Sequence, residues 1–301
     1  MSSKMSYTRR EFLFQAAAAA ALPWKAPVLD IHAHVDYNGR TNEQLLAHCD
    51  ALGINKAVLL PAEGSMRKDP ERSGNEACVA LVRAHPERFV RFASADLKTA
   101  DPIRRIRTFL SSGGIGIGEQ KFPVACDCPE IRAVYELAAE LHVPVLIHFE
   151  DPRLNTGFAN FPKIVKQYPR TTFIGHAITW WANISADAGQ GSYPTGPVKP
   201  GGLSDRLLSD YPNVYADLSA NSGRNALTRD PEFARSFVKR HQAKLIFGSD
   251  CTCRDGNGAG IANGKCIARE CLTALHKLCE SEAMFQRIVW ENGTRLLKIP
   301  A

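Results

Sequence analysis

From Val28 onward, eight short apolar runs alternate with longer amphipathic stretches, and few architectures accommodate that pattern. The runs span residues 28–36, 56–62, 89–96, 115–122, 144–150, 171–177, 214–220 and 244–250. Strand-like runs separated by helical ones indicate repeated βα units around a parallel sheet, and eight is the number that closes a barrel. The chain is therefore predicted to be α/β, a (β/α)8 TIM barrel forming one catalytic domain over residues 26–301. Its 301 residues suit this fold, whose usual size is about 250. A hydrophobic share of 45% is enough to fill a large core.

Helical patterning is expected over residues 42–52, 75–84, 102–110, 129–141, 162–168 and 231–241, several opening with proline, whose missing N–H costs nothing in a first turn. A last helical region follows Lys265 and runs, with breaks, to Leu297. Two stretches read as long loops: 179–202, polar but starting with Trp180-Trp181, and the glycine-rich 251–264. Both would sit at the carboxyl ends of the strands, where loops carry substrate contacts. The glycines of 113–118 superficially suggest a dinucleotide loop, but they precede and enter a strand instead of following one and opening a helix, so close backbone packing is the simpler account.

At the N-terminus, Thr8-Arg9-Arg10-Glu11-Phe12-Leu13 precedes an alanine-filled run ending near Leu22-Pro23. The run is shorter than the roughly 20 residues that cross a bilayer. It resembles a bacterial twin-arginine export signal over residues 1–25, with Phe14 where lysine is common. The resemblance implies the twin-arginine export machinery as a partner of the precursor, and a periplasmic or secreted mature enzyme that does not span the membrane. Loss of Lys4, Arg9, Arg10 and Glu11 would lower the formal charge from +6 to about +4, too weak to argue for nucleic acid. The nine cysteines, among them Cys126, Cys128, Cys251, Cys253, Cys266, Cys271 and Cys279, lack zinc-finger spacing. They read as buried or disulfide-linked, with a thiolate metal site near Cys251 and Cys253 as the other reading.

Chemistry concentrates at strand ends. In the first run Asp30, His32, His34 and Asp36 alternate with Leu29, Ile31, Ala33 and Val35, which places the polar set on one face, expected to be the barrel interior. Two histidines two apart at a strand's end make a chelating pair. His148 ends the fifth run, His176 the sixth and Asp250 the eighth. A carboxylate closing an apolar run needs a cation or a hydrogen-bonded partner. Glu119 and Lys121 share a face of the fourth run: either could bridge two metals, Lys121 after carbamylation, or they could form a plain ion pair. Lys121, Arg153, Trp180 and Trp181 are candidates to line the substrate pocket.

This order of ligands (H-x-H on the first strand, Glu or Lys on the fourth, His on the fifth and sixth, Asp on the eighth) resembles the amidohydrolase superfamily, specifically its amidohydrolase-related branch. The resemblance runs from about Val28 to the end, including the closing stretch 290–297. It implies that His32, His34 and Asp250 ligate one divalent metal, with His148 and His176 binding a second, or with His148 ligating and His176 assisting chemistry. Glu119 is the sixth candidate. Zinc suits this mixed nitrogen and oxygen set first, with manganese, iron, nickel or cobalt as alternatives.

The mechanism expected is attack by a metal-activated hydroxide, with Asp250 as proton shuttle, on a C–O or C–N bond of a small-molecule lactone, ester or amide. No G-x-S-x-G elbow competes with it. The alternatives are a one-metal decarboxylase of an aromatic or unsaturated carboxylic acid, a phosphoester hydrolase, and a barrel whose metal is inert. A homo-oligomer is compatible with all of them.

Overall fold

The computed structural model describes residues 22–64, 70–188 and 191–300. The export signal expected over 1–25 lies outside these residues but for its last four. One of those four, Trp24, is buried against His276 and Phe285, at ring-centroid distances of 6.3 and 6.0 Å, so the packed body starts before residue 26.

Eight parallel strands form: β1 (Val28–Ala33), β2 (Ile54–Leu59), β3 (Phe89–Arg91), β4 (Ile117–Gln120), β5 (Val145–His148), β6 (Phe173–His176), β7 (Val214–Asp217) and β8 (Leu245–Ile246). They pair in the orders β1-β2-β3 and β4-β5-β6-β7-β8. The two sheets close into one ring. Ala93, just beyond β3, exchanges bonds with Gly116 O and Gly118 N, both 2.9 Å, and Ile31 N of β1 donates to Phe247 O beyond β8 at 3.1 Å. The expected runs end later than the ladders, because their last residues turn away into the mouth. Ala177, Ala220 and Asp250, one residue past His176, Ser219 and Ser249, all have positive φ (80°, 61° and 45°).

Between the strands lie α1 (Asn42–Leu52), α2 (Pro70–Ser73), α3 (Asn75–Ala84), α4 (Pro102–Ser111), α5 (Pro129–Leu141) and α6 (Phe161–Gln167). The second half carries α7 (Ala177–Ala182), α8 (Leu203–Asp210), α9 (Ala220–Thr228), α10 (Pro231–His241), α11 (Ile267–Leu278), α12 (Glu282–Gln286) and α13 (Asn292–Leu297). Local chemistry sets their starts: Thr41 and Gln44 form a reciprocal capping box, while Asp101 and Asp230 accept the N–H of Arg104 and Phe233 ahead of a proline first turn. No described helix is long and apolar enough to cross a membrane.

Two apolar layers result. Leu29, Val58, Leu146, Ile174 and Ile246 come from five strands and Phe92 from just past β3; they pack on one another around the ring and so fill the barrel, joined by Leu297 and Ile299. Residues of the opposite strand faces, such as Ala57, Val145 and Phe173, pack with the helices in a second cluster. Strand β1 departs from strict alternation. Leu29 and Ile31 belong to the inner cluster, although the pattern assigned the interior to Asp30, His32 and His34 alone. The β1–β2 register is irregular between Asp30 and Ala33, and this break turns His32 and His34 inward above the two apolar side chains.

One stretch read as a loop needs correction, whereas 251–264 is irregular as expected. Residues 179–202 begin inside α7, and Trp180 and Trp181, expected at the substrate mouth, are 0% and 1% exposed. Trp180 stacks over Phe149 and occupies the space beside Gly175, where a Cβ would collide with the indole. Trp181 donates from Nε1 to Asp217 O (3.0 Å). A hexapeptide whose one polar residue is Thr179 has no helical period to read, so its burial was invisible. Two of the 113–118 glycines serve close packing, since a Cβ at Gly116 would strike the Phe92 ring and one at Gly118 the Leu146 backbone, whereas Gly113 faces open space.

Candidate metal centre

All six expected ligands converge at the carboxyl end of the barrel. His32 comes from β1 and His34 from the residue after it, Glu119 from β4, His148 and His176 from the last positions of β5 and β6, and Asp250 from the turn after β8. Their ligand atoms form three overlapping groups, each within 4.8 Å: His32, His34 and Glu119; His32, His176 and Asp250; Glu119, His148 and His176.

The histidine tautomers follow from the outer contacts. His34 Nδ1 must donate to Leu60 O (2.8 Å), and His32 Nδ1 donates to Asp217 Oδ2 (2.6 Å). Both Nε2 atoms therefore face the centre, 3.2 Å apart. That spacing matches the edge, about 3.3 Å, spanned by two nitrogens bound about 2.0–2.1 Å from a tetrahedral ion. His176 Nδ1 is held by Ser219 Oγ (2.9 Å), while its Nε2 is buried without a hydrogen-bond partner. Asp250 Oδ1 is equally unpartnered, 3.5 Å from His34 Nε2 and 3.8 Å from His32 Nε2. Buried lone pairs aimed at one another without a donor fit a divalent cation.

The electrostatics agree. Burial alone would lower the His32 basicity, but the carboxylates of Asp250 and Asp217 outweigh it and draw positive charge to the ring. Burial and the neighbouring His32 hold His176 well below the usual histidine range, so it is a neutral donor of a lone pair. Glu119 and Asp250 are buried, which opposes ionisation, yet both are held below the carboxylate range, Glu119 by Lys121 and His148 and Asp250 by His32 and His34. Lys121, 3.7 Å from Glu119 Oε2, resists burial and keeps its proton because of Glu119 and Asp250. The plain ion pair foreseen for these two residues is thus present, and Lys121 also lines the cavity.

His148 differs from the other three histidines. Its Nδ1 faces Glu119 Oε1 (2.6 Å) and its Nε2 faces Glu150 Oε2 (3.0 Å), so carboxylates bracket the ring. Arg153 pairs with Glu150 (2.9 Å) and is 74% exposed, outside the walls of the cavity it was expected to line.

Several site residues were not foreseen. Asp217 is the last residue of β7 but sits inside the expected run 214–220, so it carried no run-end signal of the kind that singles out Asp250. It receives His32 Nδ1 and the Ser219 hydroxyl (2.8 Å). A Cβ at Gly248 would collide with its carboxylate, so the glycine in β8's extension makes room for it. Asp30 Oδ1 accepts the N–H of His32 (2.9 Å) and of Ser249 (2.8 Å), and Asp250 N donates to His32 O (2.8 Å), locking the first and last strand ends together. Tyr37 packs edge-on to His34 at 5.0 Å, and the negative charge of Asp250, then burial, keeps its phenol protonated.

Two cavities meet here. One of about 420 Å³ is lined by His34, Tyr37, Glu63, Glu119 and Lys121, and one of about 340 Å³ by His148, Glu150, His176, Tyr193, Asp250 and Thr252. Tyr37 and Lys121 border both. Each has the volume of a small-molecule site.

No family model and no curated protein matches the sequence. Solved structures do match its fold. A Pseudomonas putida protein assigned as a 2-pyrone-4,6-dicarboxylic acid hydrolase superposes with a TM-score of 0.61 at 14% identity, covering 92% of this chain and 99% of its own. A 2,6-dihydroxybenzoate decarboxylase from Rhizobium gives 0.58 at 16%, covering 91% and 99%. Dihydroorotase from Campylobacter jejuni gives 0.56 at 17%, covering 93% and 87%. The expected barrel fold is borne out, and these names include both hydrolases and a decarboxylase.

Proposed function

We propose that this protein is a metal-dependent enzyme of the amidohydrolase kind that hydrolyses a C–O or C–N bond in a small molecule. The observation that carries the reading is the facing Nε2 pair of His32 and His34, with the unpartnered His176 Nε2 and Asp250 Oδ1 beside it. His32, His34 and Asp250, with Glu119 or His176 completing the set, would hold a divalent ion, zinc first. Such an ion supplies Lewis acidity and a water of lowered pKa.

The chain's own residues do the rest. Asp250, ionised and 3.9 Å from His176 Nε2, takes the proton from the attacking water and returns it to the leaving group. The Tyr37 phenol and the Lys121 ammonium border both cavities and are placed to donate to a carbonyl oxygen gathering negative charge. Asp217, Ser219 and Leu60 O fix the imidazoles and do not contact substrate.

A one-metal decarboxylase is the second reading. It is favoured by the bracketing of His148 between Glu119 and Glu150, which leaves one complete ligand set, and by the cationic Lys121 as a seat for a substrate carboxylate. Elemental analysis of protein isolated without chelator, followed by parallel screens of lactones, amides and aromatic carboxylic acids, decides between them. Lactone or amide turnover that is lost with the metal supports the hydrolase; CO2 release that is lost with the metal supports the lyase. Absence of metal after reconstitution overturns both.

A further inference from the structure

A second group of metal-ligating side chains lies away from the barrel mouth. His48 sits on α1, Cys253 in the loop after β8 and Cys266 at the start of α11, with a ring nitrogen and both Sγ atoms within 4.8 Å of one another. They are 1%, 0% and 3% exposed. Neither nitrogen of His48 has a hydrogen-bond partner, although the ring lies beside Cys253. An imidazole sealed from water with both nitrogens unsatisfied is costly, and a ligand on one of them relieves that cost.

The sulfur geometry points the same way. Cys251 Sγ is 3.8 Å from Cys266 Sγ. A disulfide requires about 2.05 Å, whereas two sulfurs each about 2.3 Å from a tetrahedral zinc ion stand about 3.8 Å apart. Cys253 Sγ accepts the N–H of Gly258 (3.1 Å) and Cys251 Sγ that of Cys253 (3.4 Å), contacts that favour thiolates but are outweighed by the neighbouring thiols and burial, which leave both groups raised to about 11 until a cation displaces the protons. Asp255 Oδ1, 3.3 Å from Cys253 Sγ, favours the thiol, but it also takes the N–H groups of Asn257, Gly258 and Ala259. The buried Arg40 donates to Cys251 O (2.8 Å) and Cys253 O (3.2 Å) and so sets a positive charge beside the sulfurs.

We propose that His48, Cys253 and Cys266 bind a thiophilic divalent cation of the zinc type, separate from the barrel centre, and that Cys251, outside their 4.8 Å cluster but 3.8 Å from Cys266, is drawn in as the fourth ligand. Binding releases the three thiol protons to solvent and leaves the neutral imidazole as the fourth donor. Three thiolates around a dication carry one excess negative charge, which Arg40 compensates. The ion would tie α1 to the irregular 251–264 loop, whose first residue follows Asp250.

Cobalt(II) is the probe, loaded anaerobically into the reduced full chain. A thiolate-to-cobalt charge-transfer band in the near ultraviolet is expected, because the barrel centre offers nitrogen and oxygen donors alone. The band should persist in His32→Ala, which removes a barrel ligand, and be lost in the Cys253→Ser, Cys266→Ser double variant. If that variant fails to fold, stepwise thiol modification of the native wild-type protein should bleach the band in proportion to cobalt released. No band in the wild-type protein, a band surviving the double substitution or complete thiol modification, or a Cys251–Cys266 disulfide recovered from freshly isolated, thiol-blocked protein would each overturn the proposal.

Discussion

At the scale of single residues, the centre depends on which nitrogen of each histidine is free. Asp217 and Leu60 O take the Nδ1 protons of His32 and His34 and thereby aim both Nε2 atoms at one point. We expect Asp217→Asn to weaken metal affinity about 10–100-fold, measured by competition with a chromophoric chelator, with unchanged affinity counting against the orienting role. Replacing His32 or Asp250 with alanine should abolish turnover, and substantial residual activity in either would sink the mechanism. Gly248→Ala tests the same pair from behind: its methyl group needs the space Asp217 fills and crowds the His32 Cβ, so metal binding should fall with every ligand side chain retained.

At the scale of elements, buried contacts between helices and strands set local stability. Asp205 of α8 accepts from His241 Nε2 (2.5 Å) and from Arg240 (2.9 Å) on α10. Burial raises its pKa, but these two partners outweigh it and hold the group below the usual carboxylate range. A depressed folded pKa means the contribution is complete above about pH 4 and is lost as pH falls through the folded value. Asp205→Ala should therefore cost about 1–3 kcal/mol in urea denaturation at neutral pH and progressively less in acid; a pH-independent difference would refute the ion-pair account. Gly175→Ala, which drives a methyl group into the Trp180 indole, should destabilise by about 1–3 kcal/mol even though the site is untouched.

Over the whole molecule, four of the six ligands come from different strands and His32 and His34 share one, so the centre exists only when the barrel is closed. A cation bound to the folded form alone stabilises it by mass action. We expect dialysis against chelator to lower Tm by several degrees more in the wild-type protein than in His32→Ala, and metal to restore it, as followed by calorimetry; equal shifts in the two would show that the barrel ligands hold no ion. The N-terminal arginines bear on a different property, the compartment. Arg9→Lys with Arg10→Lys should leave the precursor uncleaved in the cytoplasm, and normal export of that variant would contradict the twin-arginine reading.

The order of βα units and the five strand-end residues His32, His34, His148, His176 and Asp250 were legible in the sequence, because strand-length apolar runs and their terminal polar residues are local patterns. Helix bounds at α1, α5 and α10 were equally local, marked by a cap or a first-turn proline. What tertiary structure decided is everything set by packing across the chain. The break in the β1 register that turns both histidines inward arises from pairing with β2. Burial of Trp180 and Trp181 depends on the hollow left at Gly175 and on Asp217 O, and the orienting role of Asp217 on its meeting His32 across 185 positions. Local sequence records the intrinsic preferences of a segment, whereas the partner that satisfies a buried polar group is chosen only when distant strands close the ring.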